Sequence, residues 1–452
     1  MIFKGSFDND KNIEKLEYKF MVSNDINRIS LNLNKGPFEH IIISLEDSEG
    51  RTRILTSFKT TKKKYYLTTH WESTSNCCIP GELPEGEWKL KLLKNYVVSD
   101  EFELEIKIEN GNLIKKENMK KITLKDCYLD TKEWYAGELH NHTNISDGGI
   151  SLRDIKKELI KKEIDFIFPT EHNSVLTKYP DIDIPVIPST ELTLDNLGHF
   201  NLFGLKKIID YYNHIDENDT KEISLAKIFK EVKKQGGYVS LNHPFHNTSR
   251  MFLGLFYNID LKDLDFIEVI NSPTREGNNP YYDKKALEAL DMLWCDGHKI
   301  FAVGGSDNHG ESLGDPLNYI RLDKYETKNI LENMKKGRTY ISRVGEIKLR
   351  MENNGQVVYP GDEIYGEISI KILSSQTLIW RVIKNGKVIN MIVGQEINIF
   401  NELKEGEYLR IEGVSEKDEP MVVINPIYNS LKKPALEKWF QIKEKIWVEW
   451  KS

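Results

Sequence analysis

Between Trp134 and His309 short apolar runs alternate with amphipathic segments of helix length, and imidazoles and carboxylates stand where the runs end. The predicted strands are Trp134–Leu139, Asp165–Pro169, Pro185–Pro188, Phe200–Gly204, Tyr238–Leu241, Phe266–Ile270 and Lys299–Val303. The predicted helices are Ser151–Lys162, Ser224–Gln235, Asp283–Cys295 and Glu326–Lys336. Ser151 with Asp154 three positions on caps the first helix, and Gly236-Gly237 ends the second in a left-handed turn. Repeated β-then-α units imply a parallel sheet, open or closed into a barrel. Sheets of that kind carry their active sites at the C-terminal ends of the strands.

The flanks have a different texture. Residues 1–125 contain period-two or β-branched runs such as Ile41-Ile42-Ile43-Ser44-Leu45 and Phe102-Glu103-Leu104-Glu105-Ile106, separated by turns such as Pro84-Glu85-Gly86. They predict an antiparallel β-sandwich. The lysine-rich stretch from Asn110 to Lys125 reads as a linker to a central region, 126–340. Residues 341–452 return to β texture, with Glu367–Leu373, Thr377–Val382 and Glu407–Glu412 as strands of a small domain. The tail places Leu436, Trp439, Phe440, Ile442, Ile446 and Trp447 at helical spacing, which predicts a terminal helix packed on the body.

Nine of the eleven histidines fall from His140 to His309. In Glu138-Leu139-His140-Asn141-His142 the two imidazoles share a face of an extended segment, within reach of one ion. Ser146-Asp147-Gly148-Gly149 is a turn able to bring a carboxylate back to the same spot. His172 follows a strand, as do Glu191 and His243, and Asp307-Asn308-His309 closes the series with a second i, i+2 pair. Imidazole with carboxylate suits zinc, manganese or iron, and the absence of cysteine from the set argues against a structural zinc knot. Any one of these residues alone reads as a turn, cap or core group; their ordered recurrence at strand ends points to a metal cluster.

The order His140, His142, Asp147, His172, Glu191, His243, Asp307, His309 resembles the PHP (polymerase and histidinol phosphatase) family of metal-dependent hydrolases. The longer motif Trp134-Tyr135-Ala136-Gly137-Glu138-Leu139-His140-Asn141-His142-Thr143 is similar to the CehA/McbA-like branch. So are Glu191, Thr193, Gly198, His199, Asn201 and Gly204, and the turn from Pro80 to Trp88. One departure is Glu171, where the family carries aspartate. The resemblance implies a distorted (β/α)7 barrel flanked by the two β-regions, with two or three divalent metal ions, zinc, manganese or iron, at its C-terminal rim. By position, His140, His142, Glu191 and Asp307 would hold one ion. Asp147, His172 and Glu191 would hold a second, and His243 and His309 would complete the cluster.

The implied chemistry is hydrolysis, with a phosphoesterase using a metal-bridging hydroxide ahead of a carboxylic ester, amide or carbamate hydrolase at the same ions. A reading of another class is a carbohydrate- or protein-binding protein without catalysis. Glu171, His199 and Arg275 are candidate catalytic residues; His199, His246, Arg250 and Arg275 are candidate contacts to a small-molecule phosphate ester. The net charge of -7, from 63 basic and 70 acidic residues, disfavours nucleic acid and anionic membranes as partners. Cys77, Cys78, Cys127 and Cys295 show no disulfide framework, and the first residues show no export signal, so a cytoplasmic protein is expected. Oligomeric state is left open by the sequence.

Overall fold

The computed structural model describes residues 1–8, 11, 13–36, 41–57, 64–94, 101–111, 119–122, 132–194, 198–246, 254–274, 279–310 and 313–446. The first strands are β1 (Ile2–Ser6), β2 (Glu14–Val22), β3 (Arg28–Lys35), β4 (Ile41–Glu46), β5 (Thr52–Ser57), β6 (Lys64–Thr68), β7 (Gly86–Lys94) and β8 (Glu101–Glu109). They form two antiparallel four-stranded sheets, ordered β1-β8-β3-β6 and β2-β7-β4-β5. In β8 the alternation buries Phe102, Leu104 and Ile106, which share a core with Ile29, Leu31, Ile43 and Trp88. A period of two thus sets the inward face, as the sequence indicated. The stretch expected to be a linker contributes β9 (Met119–Lys121), which pairs with β12 (Lys178–Pro180) of the central region.

The central elements are β10 (Trp134–Glu138), α1 (Ile155–Lys161), β11 (Phe166–Ile167), β13 (Ser189–Leu194), β14 (Gly198–Phe203), α2 (Lys221–Lys234) and β15 (Tyr238–Leu241). After them come β16 (Phe266–Asn271), α3 (Pro280–Cys295), β17 (Phe301–Gly305), β18 (Leu317–Arg321), α4 (Thr327–Lys335) and β19 (Thr339–Ser342). The Thr220 hydroxyl caps α2, and Gly236 ends it at φ +79°. Strands β13-β14-β15-β16-β17 make one sheet, parallel only across β15–β16–β17. The expectation of a parallel sheet fails at β13 and β14. Only residues 195–197 separate these strands, and parallel neighbours need a crossover of about a dozen residues or more. Such a short connection forces a hairpin.

The other central strands join a ten-stranded sheet ordered β11-β10-β18-β19-β25-β24-β22-β20-β21, with β23 on the outer side of β22. Its later members are β20 (Lys348–Asn353), β21 (Gln356–Val358), β22 (Gly366–Lys384), β23 (Lys387–Leu403), β24 (Tyr408–Val414) and β25 (Pro420–Tyr428). Residue 340 therefore lies inside a continuous ladder, where β19 pairs with β25. The runs expected as two strands, Glu367–Leu373 and Thr377–Val382, are one strand, β22, with an irregular register against β23 between Leu373 and Leu378. The two large sheets do not close into one ladder. Isolated parallel bridges join them instead: Asn141 with Asn308 on one side, and Ile167 with Val186 and His172 with Glu191 on the other.

The last helix, α5 (Phe440–Ile446), follows the fully buried Trp439, whose ring lies 5.7 Å from that of Phe245. Trp447 lies outside the described residues. Among the described residues, no helix is long and apolar enough to cross a membrane.

Candidate metal centre

The strand ends that the two sheets turn toward one another carry the histidines. His140 and His142 follow β10, His172 follows β11, Glu191 and His199 lie on the β13–β14 hairpin, His243 follows β15, and Asp307 and His309 follow β17. Two of these residues have backbones that side chains seldom adopt: His243 at φ +28° and Asp307 at φ +43°. Each is pinned. The His243 N–H donates to Glu268 Oε2 at 3.0 Å, and the Asp307 N–H donates to the His140 carbonyl at 2.7 Å. Strain held by hydrogen bonds at a strand end is common where a side chain must be aimed.

Glu191 sits at the middle. Its oxygens face His140 Nε2 at 3.3 Å, His142 Nε2 at 3.5 Å, His172 Nδ1 at 2.8 Å, His199 Nδ1 at 3.1 Å and His243 Nε2 at 3.6 Å. Asp307 Oδ1 faces His142 Nε2 at 3.1 Å, His140 Nε2 at 3.4 Å and His309 Nδ1 at 3.5 Å. Asp147 faces His172 Nε2 at 3.2 Å and His309 Nε2 at 3.4 Å. It reaches them because the chain doubles back at Gly148, where a Cβ would lie 2.3 Å from the His142 carbonyl oxygen. All eight expected ligands are thus brought together, with His199 as a ninth member. Three sets have donor atoms within 4.8 Å of one another: His142 with His172 and His309, His140 with Glu191 and His243, and His140 with His142 and Asp307.

These donors fit a divalent cation. Buried Nε2 of His140 makes no hydrogen bond although two carboxylates face it. Burial, with His172 alongside, pushes His142 down to about 3, so its ring is a neutral donor. Burial opposes ionisation of Glu191, but His199, His140 and His172 outweigh it and hold the carboxyl well below its usual range. Asp307 is held low in the same way, against burial, by His140 and His309. His140 is held well above its usual range: burial opposes this, and Glu268, Asp307 and Glu191 prevail. In the metal-free protein a proton there fills part of the role of a cation.

The remaining expected residues lie elsewhere. Glu171 is turned away from the cluster; its carboxylate accepts from the N–H and hydroxyl groups of both Thr143 and Ser146. It therefore braces the loop that presents Asp147. His246 stands at the margin, its ring 5.6 Å from that of His243 and its Nε2 3.5 Å from Asp283. Arg250 and Arg275 lie outside the described residues. Asn144 and Ile145, on the same loop as Asp147, also wall a cleft of 1380 Å³ with Trp71 and Lys178.

Sequence reading missed two buried carboxylates behind the cluster. Glu138 accepts from the backbone N–H groups of His140, Ser306 and Gly314, tying the end of β10 to the end of β17. Glu268 accepts from His140 Nδ1 at 2.9 Å. Glu138 ends β10 and Glu268 lies within β16, both buried strands with no other charged residue, and a lone acid in such a run is the signal that marks them.

No family model matches the chain, and no curated protein does. Among solved structures it is similar, over 71% of its length, to 98% of a two-domain protein from Bacteroides vulgatus containing a predicted PHP-like metal-dependent phosphoesterase, with 16% identity and a TM-score of 0.36. It is also similar, over 44% of its length, to 95% of an inferred metal-dependent phosphoesterase from Bifidobacterium adolescentis, with 15% identity and a TM-score of 0.28. Superpositions this loose carry neither fold nor chemistry across to this chain.

Proposed function

We propose that this chain is a metal-dependent hydrolase of the PHP type, in the CehA/McbA-like branch, acting in the cytoplasm on a small phosphate ester. The carrying observation is the convergence of five imidazoles on the single buried carboxylate of Glu191. An arrangement that packs so many lone-pair donors around one acid is costly to bury unless a cation shares them. Two sheets joined by bridges along both margins support a distorted (β/α)7 plan.

When bound, divalent ions of zinc, manganese or iron supply hydroxide at neutral pH and stabilise the charge that develops on the attacked group. The residues do the rest. His140, His142 and Asp307 would hold one ion and Asp147, His172 and His309 another, with the Glu191 carboxylate beside both. Asp147 and His309, whose side chains are 25% and 22% exposed, form the open side through which substrate arrives. His199, on the same side of Glu191 as His243, is placed to touch the substrate's reacting group.

The test is to load purified protein with zinc, manganese or iron, count bound metal, and assay a nitrophenyl phosphate, a phosphodiester and an aryl carbamate. The expected result is about two or three ions per chain and turnover of a phosphate ester. Turnover of the carbamate alone would remove the phosphoesterase assignment; absence of bound metal after loading would remove the enzyme.

A further inference from the structure

We infer that Glu268 is a positioning residue for the metal centre: it fixes the ring of His140 so that Nε2 points into the cluster, and it anchors a second ligand, His243, through the backbone. The inference rests on the metal reading above and adds a residue outside the ligand set. Glu268 lies in the middle of β16 and is 2% exposed. Its Oε1 is 2.9 Å from His140 Nδ1, and its Oε2 accepts from the His243 N–H at 3.0 Å and from Asn271 Nδ2 at 2.9 Å.

A carboxylate oxygen accepts and does not donate, so Nδ1 of His140 carries the hydrogen and Nε2 is the nitrogen left for a cation. That Nε2 is the atom facing Glu191 and Asp307. The other oxygen of the same carboxylate holds the backbone of His243, which sits at the strained φ of +28°. One buried acid therefore sets the aim of two ligands that follow different strands, β10 and β15. Carboxylates behind metal-bound histidines orient the ring and raise its basicity, and their loss costs about 10- to 100-fold in metal affinity.

The fold also makes room for this pair. A Cβ on Gly305 would lie 2.2 Å from His140 Cβ and 2.5 Å from Glu268 Oε1. The last residue of β17 must therefore be without a side chain for His140 and Glu268 to meet.

The experiment titrates metal-free wild type, Glu268→Gln and Gly305→Ala with cobalt(II), reading affinity by competition with a chelator and ligand geometry from the visible absorption bands. Histidine nitrogen NMR on the same variants loaded with zinc reports which nitrogen of His140 keeps its hydrogen when metal is bound. Glu268→Gln is expected to weaken cobalt binding about 10- to 100-fold, alter the visible bands and mix the two His140 tautomers, with the circular dichroism of the metal-free protein retained. Gly305→Ala is expected to move the same three readouts in the same direction while leaving both functional groups in place. Binding within about twofold of wild type with an unchanged spectrum in Glu268→Gln overturns the inference and leaves the metal reading standing. If that variant does not fold, Glu268→Asp, which keeps the charge and shortens the reach to His140 Nδ1, decides by the same criteria. Failure of wild type to bind cobalt overturns the metal reading and this inference together.

Discussion

In the N-terminal sandwich, buried acids lie against lysine and arginine. Arg53 Nη1 is 2.9 Å from Asp47 Oδ2, with both side chains almost wholly buried, and Lys91 reaches Glu46 at one side and Asp210 at the other. At the rim of the central sheets Glu138, Glu171, Glu191 and Glu268 are buried at least as deeply, yet none faces a lysine or arginine among the described residues. Their partners are N–H and hydroxyl groups and imidazoles. A protein that can place cations against buried acids in one region and omits them in another leaves a charge deficit where the omission falls. A divalent metal is the simplest species that fills it.

The largest effect is expected from neutralising the acid at the centre of the rim. Glu191→Gln keeps the shape and removes the charge that five imidazoles face. Bound metal is expected to fall below roughly a tenth of the wild-type level and turnover to fall by at least about 100-fold. Elemental analysis beside an esterase assay reads both. Metal retained at the wild-type level would mean that the imidazoles, not the carboxylate, hold it.

The matching variant in the sandwich is Lys91→Met. The Lys91 ammonium is nearly buried between Glu46 and Asp210 and donates to Asn213 Oδ1 at 3.0 Å. Its removal leaves Asp210 without this partner and Glu46 with Lys89 alone, and breaking a buried pair typically costs about 3–5 kcal/mol. Urea denaturation should show that loss, and metal content should be unchanged. Equal loss of metal would show that the two regions are not separate solutions to charge burial.

The clustered imidazoles and carboxylates were legible in the sequence because their spacing follows local rules: His-x-His on one face of an extended segment, and acids and imidazoles at strand ends. The sandwich was legible because alternation in runs such as Phe102–Ile108 defines its inward face. What escaped depends on pairing between distant segments. Glu268 meets His140 across 128 positions, a spacing that no periodicity records. Asn425 bonds the Ala302 N–H at 2.8 Å and the Thr339 side chain, tying the C-terminal strands to the central sheet where the texture of the sequence changes. The role of Glu171 escaped for a further reason: its position beside His172 says nothing about which way the side chain turns. Four donors on Thr143 and Ser146 decide that.

A smaller difference between the two regions should emerge with pH in the metal-free protein, where protons must replace the missing cations. Burial pushes Glu138 up to about 7, against the backbone donors that pull it down. An unfolded glutamate titrates near ~4.3, so between those values the folded state binds the extra proton and stability falls as pH rises. Over that window the loss is on the order of 3 kcal/mol. His140 acts in the same sense: held above its usual range against burial by Glu268, Asp307 and Glu191, its proton contributes stability that is complete below about 6.5 and lost as pH rises through the folded value. The sandwich contributes only to the acid limb, which it shares with Glu191 and Asp307 of the rim, also held low against burial by the histidines around them. Burial pushes Glu46 and Asp47 up, but Lys91 and Lys89 hold the first low, and the Arg51 backbone with the Arg51 and Arg53 side chains holds the second low. Their contribution is present above about 4.3 and lost as pH falls below it. Below about 6.5 His142, pushed down to about 3 by burial and His172, opposes the decline with rising pH, because its unfolded ring takes up a proton that the folded ring refuses. Denaturation with a chelator present should therefore give greatest stability near about pH 6.5, with a decline toward about pH 8 and an acid limb that Glu138→Gln makes steeper above about 4.3. Zinc should restore more stability at the alkaline end of that range than at the acid end, because it displaces the proton on His140 and competes with it less well in acid. Equal stabilisation at the two ends would mean that protons do not stand in for metal at the rim, and the contrast with the sandwich would lose its cause.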